Sequence, residues 1–384
     1  MRKEDLDTPC LVVDLDVMMN NINDMAEHAK RKGVNLRPMI KTHKCPAIAQ
    51  LQMQAPATIG IQTAKVAEAE VMEAAGIKDI FVSNEIIGES KVERLVNLAK
   101  RIKISTSVDS VEGAKGLNAV ASRRGVKLDV LIHIDVGNRR TGVLPGEPAL
   151  KLAREIVKLR NLNLKGIWTH EGHNYTGRTP EEVLGITMKA GEDMVETKKL
   201  IEKELGIEVY NSMGSTPGAK PLAGYPGVNE IRPGAYIFYD ESQVFMGVCQ
   251  RKDCALTILA TIFSKPEPNR VVCDAGSKSY YPPGEWMAFT NEGLQMNWPL
   301  GPTGGGVVRK LDGEICEDVV FHRWGEEYGI MLVYNPARDF KIGEKIEIIP
   351  YHVCSTVNLH EELVCVRNGE VEAVWPILAR GKVR

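Results

Sequence analysis

Leu36-Arg-Pro-Met-Ile-Lys41-Thr42-His43-Lys44 sets the architecture of this chain. The apolar run Leu36–Ile40 reads as a strand, and it ends in a lysine with further cations close behind. An amine crowded by like charges is easier to deprotonate, and a neutral amine can form a Schiff base with a carbonyl. Alone, Lys41 would read as an ordinary surface lysine, because lysines are mostly exposed. The rest of the chain argues otherwise: it supplies an anion cradle, a pair of metal-ligand residues and a repeating architecture.

Short β-like runs alternate with helical patterns from residue 36 to about residue 240. The sequence predicts strands at Leu36–Ile40, Ala57–Ile61, Asp79–Val82, Ile102–Val108, Leu128–Asp135, Leu164–His170, Val209–Met213 and Ala235–Tyr239. It predicts helices at Lys65–Ala75, Ser90–Lys100, Val111–Arg123, Pro148–Leu159, Pro180–Leu205 and Pro217–Ala223, with one more at Val17–Arg31 before the first strand. Eight strands with intervening helices and right-handed crossovers point to an α/β fold, a (β/α)8 TIM barrel. After about residue 243 helical periodicity nearly vanishes. Ala255–Phe263, Arg270–Val272, Val319–His322, Ile330–Val333, Lys345–Ile349 and Glu362–Val366 read as strands of an all-β domain. The division expected is 1–15 as an N-terminal strand joining the β domain, 16–242 as the barrel and 243–384 as the β domain.

Bulk properties remove several classes of function. The 384 residues suit about two domains. A hydrophobic content of 43% and a charged content of 26% are those of an ordinary globular protein. The formal net charge is -2 and no basic stripe is present, which speaks against nucleic acid and anionic membrane as partners. No apolar run approaches the roughly 20 residues that span a bilayer. The first residues lack the apolar core of a secretory signal, so a cytoplasmic location is expected. The eight cysteines are scattered and include no Cys-x-x-Cys pair, so no disulfide framework is expected.

In a parallel barrel the reactive groups lie at the C-terminal ends of the strands. Useful residues gather there. Asp135-Val-Gly-Asn-Arg139-Arg140 follows the fifth predicted strand, and an arginine fork suits a phenolate, carboxylate or phosphate. His170-Glu-Gly-His173-Asn-Tyr175 follows the sixth, where either histidine can serve as acid or base. Gly214-Ser215-Thr216-Pro217 follows the seventh, and its backbone N–H groups and hydroxyls suit a phosphate, with Pro217 opening the next helix. In the β domain, His352-Val-Cys354 is an i, i+2 pair in β-like sequence, which puts both side chains on one face. Imidazole plus thiolate suits Zn²⁺, and two protein ligands leave positions open for water or substrate. His28, His133 and His322 have no comparable setting and read as structural; His360 reads as a possible support of the pair.

With these residues in view, the chain resembles the fold-type III pyridoxal-phosphate enzymes, the class of the alanine racemase barrel. More closely it resembles the D-serine dehydratase / D-threonine aldolase family. The resemblance rests on Lys41-Thr-His-Lys, Asp135-Val-Gly-Asn-Arg-Arg-Thr-Gly-Val143, Gly214-Ser-Thr-Pro217, Pro233-Gly-Ala-Tyr-Ile-Phe-Tyr-Asp240, Asp274-Ala-Gly-Ser-Lys278 and His352-Val-Cys-Ser-Thr-Val-Asn-Leu-His360, six motifs in the family's order. It implies that Lys41 carries pyridoxal 5'-phosphate and later acts at the substrate Cα, with His170 and His173 as further catalytic candidates. It implies that Gly214, Ser215, Thr216, Gly234 and Ala235 hold the phosphate and nearby backbone, and that Arg139 and Tyr175 position the ring. It implies a divalent metal, zinc first and manganese or magnesium after it, on His352 and Cys354. It also implies a homodimer and a small D-hydroxy amino acid as substrate.

Within the family the sequence points two ways. His-x-Cys, Gly-Ser-Thr-Pro and Thr169-His-Glu-Gly-His-Asn-Tyr175 resemble the zinc-dependent D-serine dehydratase branch, whereas Thr356-Val-Asn-Leu-His360 resembles the aldolase branch. Dehydration to a 2-oxo acid and ammonia is the favoured expectation. Retro-aldol cleavage to glycine and an aldehyde is the first alternative. An amino-acid racemase and a non-catalytic pyridoxal-phosphate-binding protein are the others.

Overall fold

The computed structural model describes residues 1–281 and 305–384, with the backbone of 288–290 and 293–295. Strand β1 (Cys10–Asp14) comes first and lies outside the barrel. The barrel strands are β2 (Asn35–Leu36), β3 (Ile61–Thr63), β4 (Asp79–Glu85), β5 (Lys103–Val108), β6 (Leu128–His133), β7 (Leu162–Thr169), β8 (Tyr210–Met213) and β9 (Glu230–Ile231). They pair in parallel in the order β2-β9-β8-β7-β6-β5-β4-β3. Two isolated parallel bridges, Leu36↔Thr58 and Met39↔Gln62, join the first strand to β3 and its approach, so the sheet closes on itself.

The intervening helices form where the apolar spacing put them. In Glu89–Ala99 the buried residues are Val92, Leu95, Val96 and Leu98, one face at helical period. Val111–Arg124 has a defined start and stop. Ser110 Oγ accepts the Gly113 N–H at 3.2 Å, and Gly125 ends the helix in the left-handed region at φ 64°. Pro180–Leu205 matches its expected bounds. One helix, Pro46–Gln54, escaped the sequence reading, although Pro46 stands at its first turn.

Three barrel strands differ from expectation: the second, expected at Ala57–Ile61, is Ile61–Thr63, and in the first and the last proline is the reason. The first was expected over Leu36–Ile40, but regular pairing covers only Asn35–Leu36, and Ile40–Thr42 is a 3-10 turn. Pro38 has no N–H to give the ladder. The eighth was expected at Ala235–Tyr239. It is Glu230–Ile231, and Ala235–Ile237 is another 3-10 turn beyond Pro233-Gly234. The closing motif therefore lies past the strand end rather than within it.

The other unit is a β structure. Its main sheet runs Ile315–Cys316, Gly306–Lys310, Lys345–Pro350, Leu256–Glu267, β1, Glu362–Arg367, Glu370–Pro376. β1 pairs antiparallel with Leu256–Glu267 and parallel with Glu362–Arg367. Arg270–Cys273, Gly329–Val333 and Val319–Trp324 extend it. Gly306–Lys310 and Glu370–Pro376 were not read as strands from the sequence. The second forms a hairpin through Asn368-Gly369, both with positive φ, the geometry that this dipeptide favours.

The compact units comprise Met1–Ile22, Arg178–Pro180 and Ala235–Ile377 for the β structure, and Asn23–Gly177, Glu181–Gly234 and Leu378–Arg384 for the barrel. The last seven residues thus belong with the barrel, contrary to a β domain running to 384: Ala379 N–H donates to the Lys44 carbonyl at 3.0 Å. Among the described residues no helix is long and apolar enough to cross a membrane.

Candidate active site

Lys41 sits in the turn after β2, and it is exposed. The like charges expected to crowd it are not there. His43 is fully buried and already satisfied as a neutral ring. Its Nδ1 accepts the Cys45 N–H at 3.1 Å, which leaves Nε2–H to donate to Gln52 Oε1 at 3.2 Å. Burial pushes the His43 pKa down to about 4, against the hydrogen bonds from Gln52 and Cys45. Lys44 is matched by Glu68 at 3.4 Å. Lys41 acts instead together with Arg140 and Arg232, both distant in sequence, on one histidine.

His170, directly after β7, is where those charges are felt. Its Nδ1 lies 2.5 Å from the Gly214 carbonyl, which can only accept, so Nδ1 carries the proton. Burial drives its pKa well below the usual histidine value, and the charges of Lys41, Arg140 and Arg232 push the same way. His170 is therefore a neutral imidazole with Nε2 as acceptor. Of the adjacent arginines it is Arg140 whose charge reaches His170. Arg139, the residue singled out from sequence, is exposed at φ 51°, with its N–H on Asp135 Oδ1 at 3.0 Å. That left-handed residue turns the chain between two neighbours that look alike in sequence, both of them exposed.

His173 and Tyr175 belong to the 3-10 turn Gly172–Thr176. Nδ1 of His173 and Oδ1 of Asn174 are buried without a protein partner. Burial lowers the His173 pKa, against Asp135 and Asp193. A Cβ on Gly137 would stand 3.0 Å from His173 Nε2, so the Asp135–Arg140 loop passes directly over this ring.

The Gly214-Ser215-Thr216 loop is built differently from a plain anion nest. Gly214 N–H donates to Glu171 Oε2 at 3.1 Å, and Ser215 Oγ–H donates to Glu171 Oε1 at 3.0 Å. Two donors expected for phosphate thus serve the loop itself. Ser215 also caps the helix Thr216–Leu222 through the Gly218 N–H at 3.0 Å. The Gly234 N–H lies 3.3 Å from Thr216 Oγ1 and joins this loop to the segment after β9. Glycine is required at both ends of the junction. A Cβ on Gly214 would meet Arg232 at 2.8 Å, and one on Gly234 would meet Thr42 Oγ1 at 2.9 Å. Ala235 is buried in the turn that follows. Burial raises the Glu171 pKa.

Three further residues were not assigned a role from the sequence. Arg232 is buried, stacked 5.0 Å above the Trp168 ring, and bonded to Ser212 Oγ at 2.6 Å and Gln62 Oε1 at 2.9 Å. Burial brings its pKa down to about 10, against the pull of Glu230 and Glu171. Its sequence signal was its place just before Pro233-Gly234, beside the eighth predicted strand. Glu171, between His170 and Gly172, gave no signal beyond its place after a strand. Glu85 ends β4 and lies 2.8 Å from His133 Nδ1, with His133 stacked on Trp168 at a ring separation of 3.9 Å.

The cations Lys41, Arg140 and Arg232, the orphaned polar atoms of His173 and Asn174, and the loop-to-loop junction at Thr216 and Gly234 fit an anionic cofactor such as pyridoxal phosphate. Of the two expected arginines, Arg140 is the one whose charge acts on His170, while Gly214 and Ser215 bond within the loop.

In the β unit, His352 and Cys354 do not share a strand face. The strand Lys345–Pro350 stops at Pro350. His352 is extended (φ -139°, ψ 109°) as the N-cap of a short helix, and Cys354 lies in its first turn. The two side chains nevertheless meet. Burial opposes a charge on His352, but hydrogen-bond and charge contacts with Cys354 and Asp240 raise its pKa to about 10. Nδ1 is 3.5 Å from Asp240 Oδ2, and the other donor to that oxygen is the Val353 N–H at 3.0 Å. Converging imidazole and thiol donors fit a divalent metal. Among the described residues no group of three or more such side chains is assembled, so two protein ligands with open positions is the arrangement on offer. His360 Nε2 donates to the Ser279 carbonyl at 2.7 Å, a link within the β unit.

Comparison with known proteins bears on the whole chain. Residues 13–242 match the alanine racemase N-terminal domain, and residues 255–366 match the putative serine dehydratase domain. The chain is 34% identical to a D-threonine aldolase of an Arthrobacter species over 98% of its length and 93% of the relative's. It is similar to the crystal structure of a D-threonine aldolase from Filomicrobium marinum (31% identity, TM-score 0.86, covering 99% and 98% of the two chains). It is equally similar in fold to the D-threo-3-hydroxyaspartate dehydratase of Delftia sp. HT23 (28% identity, TM-score 0.86, 98% of each chain). A cysteine-to-alanine variant of a D-threo-3-hydroxyaspartate dehydratase is described in a metal-free form.

Proposed function

The chain belongs to the pyridoxal-phosphate family that joins an alanine racemase N-terminal domain to a serine dehydratase domain, and from that we propose a lyase of D-β-hydroxy amino acids. Its main reaction, on this reading, is dehydration and deamination to a 2-oxo acid and ammonia, with a divalent metal as second cofactor. One observation carries the lyase reading, without choosing between its two reactions. Lys41 after β2, Arg140 after β6 and Arg232 after β9 bring their charges to bear on a neutral His170 after β7.

Each residue has a task. Lys41 Nζ would carry the cofactor and then move the Cα proton of the substrate. Pyridoxal phosphate, once bound, supplies an electron sink for charge at Cα. The Thr216 hydroxyl and the backbone at Gly234 and Ala235 would bind its phosphate, with Arg140 and Tyr175 beside the ring. In dehydration the β-hydroxyl must leave, so His170 Nε2 would there only orient it by accepting its hydrogen bond, and would take its proton in aldol cleavage. His352 and Cys354 would hold the metal, zinc before manganese or magnesium, whose chemistry is Lewis-acid polarisation of a hydroxyl. A homodimer in the cytoplasm belongs to the same reading.

Aldol cleavage is the second reading. The neutral His170 favours it, since a base for the β-hydroxyl is what cleavage of Cα–Cβ needs, and the Arthrobacter relative is named for that activity. Product analysis separates them. The protein, supplied with pyridoxal phosphate and Zn²⁺ or Mn²⁺, is incubated with D-serine, D-threonine and D-3-hydroxyaspartate in turn. Ammonia with a 2-oxo acid establishes dehydration, and glycine with an aldehyde establishes cleavage. Racemisation alone, or no turnover of any of the three, overturns the lyase reading.

A further inference from the structure

Gly214 is held from both sides by consecutive residues. Its N–H donates to Glu171 Oε2 at 3.1 Å, and its carbonyl accepts from His170 Nδ1 at 2.5 Å. A proton count fixes the directions around this peptide. Ser215 Oγ accepts from the Gly218 N–H at 3.0 Å and from Asn174 Nδ2 at 2.9 Å, and both nitrogens can only donate. Its two lone pairs are then used, so its one O–H points to Glu171 Oε1 at 3.0 Å. Each oxygen of Glu171 therefore accepts one bond from the phosphate loop. Glu171 is fully buried, and a Cβ on Gly218 would stand 2.6 Å from its Oε1, so the first turn of the helix packs directly on the carboxyl.

We propose that Glu171 is a positioning residue: by holding the Gly214 backbone through the peptide N–H on one side of its Cα, it fixes the carbonyl on the other side and so His170 in the Nδ1–H tautomer, with Nε2 as acceptor, and ties that base to the phosphate loop. The proposal rests on the reading of His170 as a base in the lyase site. A glutamate is the residue the geometry asks for. Two acceptors on one planar group face two donors, Gly214 N–H and Ser215 O–H. Glutamine has the same shape but turns an N–H₂ toward one of those donors, so one bond must be lost and the loop backbone at Gly214 and Ser215 is released on one side.

The test reads the tautomer directly. Holoenzyme is labelled with ¹⁵N-histidine, the two ring nitrogens are distinguished by their shifts and couplings, and the His170 signals are assigned by their loss in His170→Asn. The native protein is expected to show His170 with the proton on Nδ1. In Glu171→Gln the signals should move toward a mixture of tautomers. The cofactor Kd should rise and kcat at saturating cofactor should fall, each by roughly tenfold to a hundredfold, the range for a lost hydrogen bond to a charged group. An unchanged Nδ1–H signature in folded, cofactor-loaded Glu171→Gln overturns the proposal. Ser215→Ala guards against general damage to the loop. It removes the helix cap and one partner of Glu171 but keeps the bond to Gly214. It should raise the cofactor Kd by about tenfold and leave the tautomer of His170 alone. Scrambled tautomers in that variant as well would show that any loop damage suffices, and Glu171 would lose its special role. The spectra involve no turnover, so they decide the matter for Glu171 even where product analysis rejects lyase activity.

Discussion

The two ends of the barrel use charge in opposite ways. At the N-terminal end, cations and carboxylates are matched at contact distance: Arg37 lies 2.8 Å from Glu230 and 2.7 Å from Asp79, and Asp79 also takes Lys103 at 2.6 Å. Tyr210 and Ser212 add hydrogen bonds to Glu230. A cavity of about 580 Å³ opens among these groups. At the C-terminal end, burial first and then the charges of three cations keep one histidine neutral. The first arrangement cancels charge and holds strands in place. The second leaves positive potential where an anionic cofactor would bind. In a parallel barrel this is the expected division between a stabilising face and a reactive one.

The largest expected effect is at the reactive end. Lys41→Ala removes the amine that would carry the cofactor, so turnover should fall about a thousandfold or more. The thermal midpoint of the cofactor-free protein should hardly move, because Lys41 is exposed. Borohydride reduction followed by mass measurement of the peptides gives the direct check. A cofactor adduct remaining on another lysine at full yield would remove Lys41 from its role.

Arg37→Met is the counterpart at the other end. It leaves Glu230 buried and short of its cation, and breaking one side of a buried pair costs about 3–5 kcal/mol. Urea unfolding should show that loss, with kcat per bound cofactor within about twofold of the native value because no reacting group is touched. Equal stability would mean that the matched charges contribute nothing net.

How far the sequence foretold this contrast depends on how each feature is encoded. The barrel was legible because strand and helix periods differ and alternate. Lys41, His170 and the Gly214 loop were legible because each is a short contiguous motif at a strand end. His352 and Cys354 were legible as a donor pair, although they meet in a helical turn rather than along a strand. What the sequence hid were relations made by folding. Arg140 and Arg139 differ only by a left-handed backbone at Arg139. Glu171 matters through a peptide 43 residues away. His43 looked like a cation beside Lys41, and only burial and two hydrogen bonds make it neutral. Proline and glycine moved the first and last strands, since a missing N–H ends a ladder sooner than apolar character suggests.

His43 gives the next prediction in size. Its folded pKa, about 4, lies below the ordinary 6.5. The unfolded chain therefore binds more protons between those values, and stability rises with pH across that window. The contribution is complete above about pH 6.5 and is lost as pH falls toward 4, by roughly 3 kcal/mol in all. His43→Asn should flatten that part of the pH–stability curve in chemical denaturation. A curve of the same slope in the variant would place the acid sensitivity elsewhere, with His170 the first alternative.

The smallest expected effect is at the rim of the matched lattice. Lys103 contacts Asp79 at 2.6 Å, but its side chain is 65% exposed, so solvent screens the pair. Lys103→Ala should cost no more than about 1 kcal/mol and should leave activity alone. Its value lies in the contrast with Arg37, which shares the same carboxylate from a buried position. Asp79 keeps Arg37 in Lys103→Ala, whereas Glu230 keeps only the longer contact with Arg232, whose Nε is 3.9 Å from its Oε1, when Arg37 is removed. A loss in Lys103→Ala as large as that in Arg37→Met would mean that the lattice responds as one unit, and burial would no longer explain the difference. A small loss, suppressed further by 1 M salt, would confine the stabilising charge to the buried arginine and its two carboxylates.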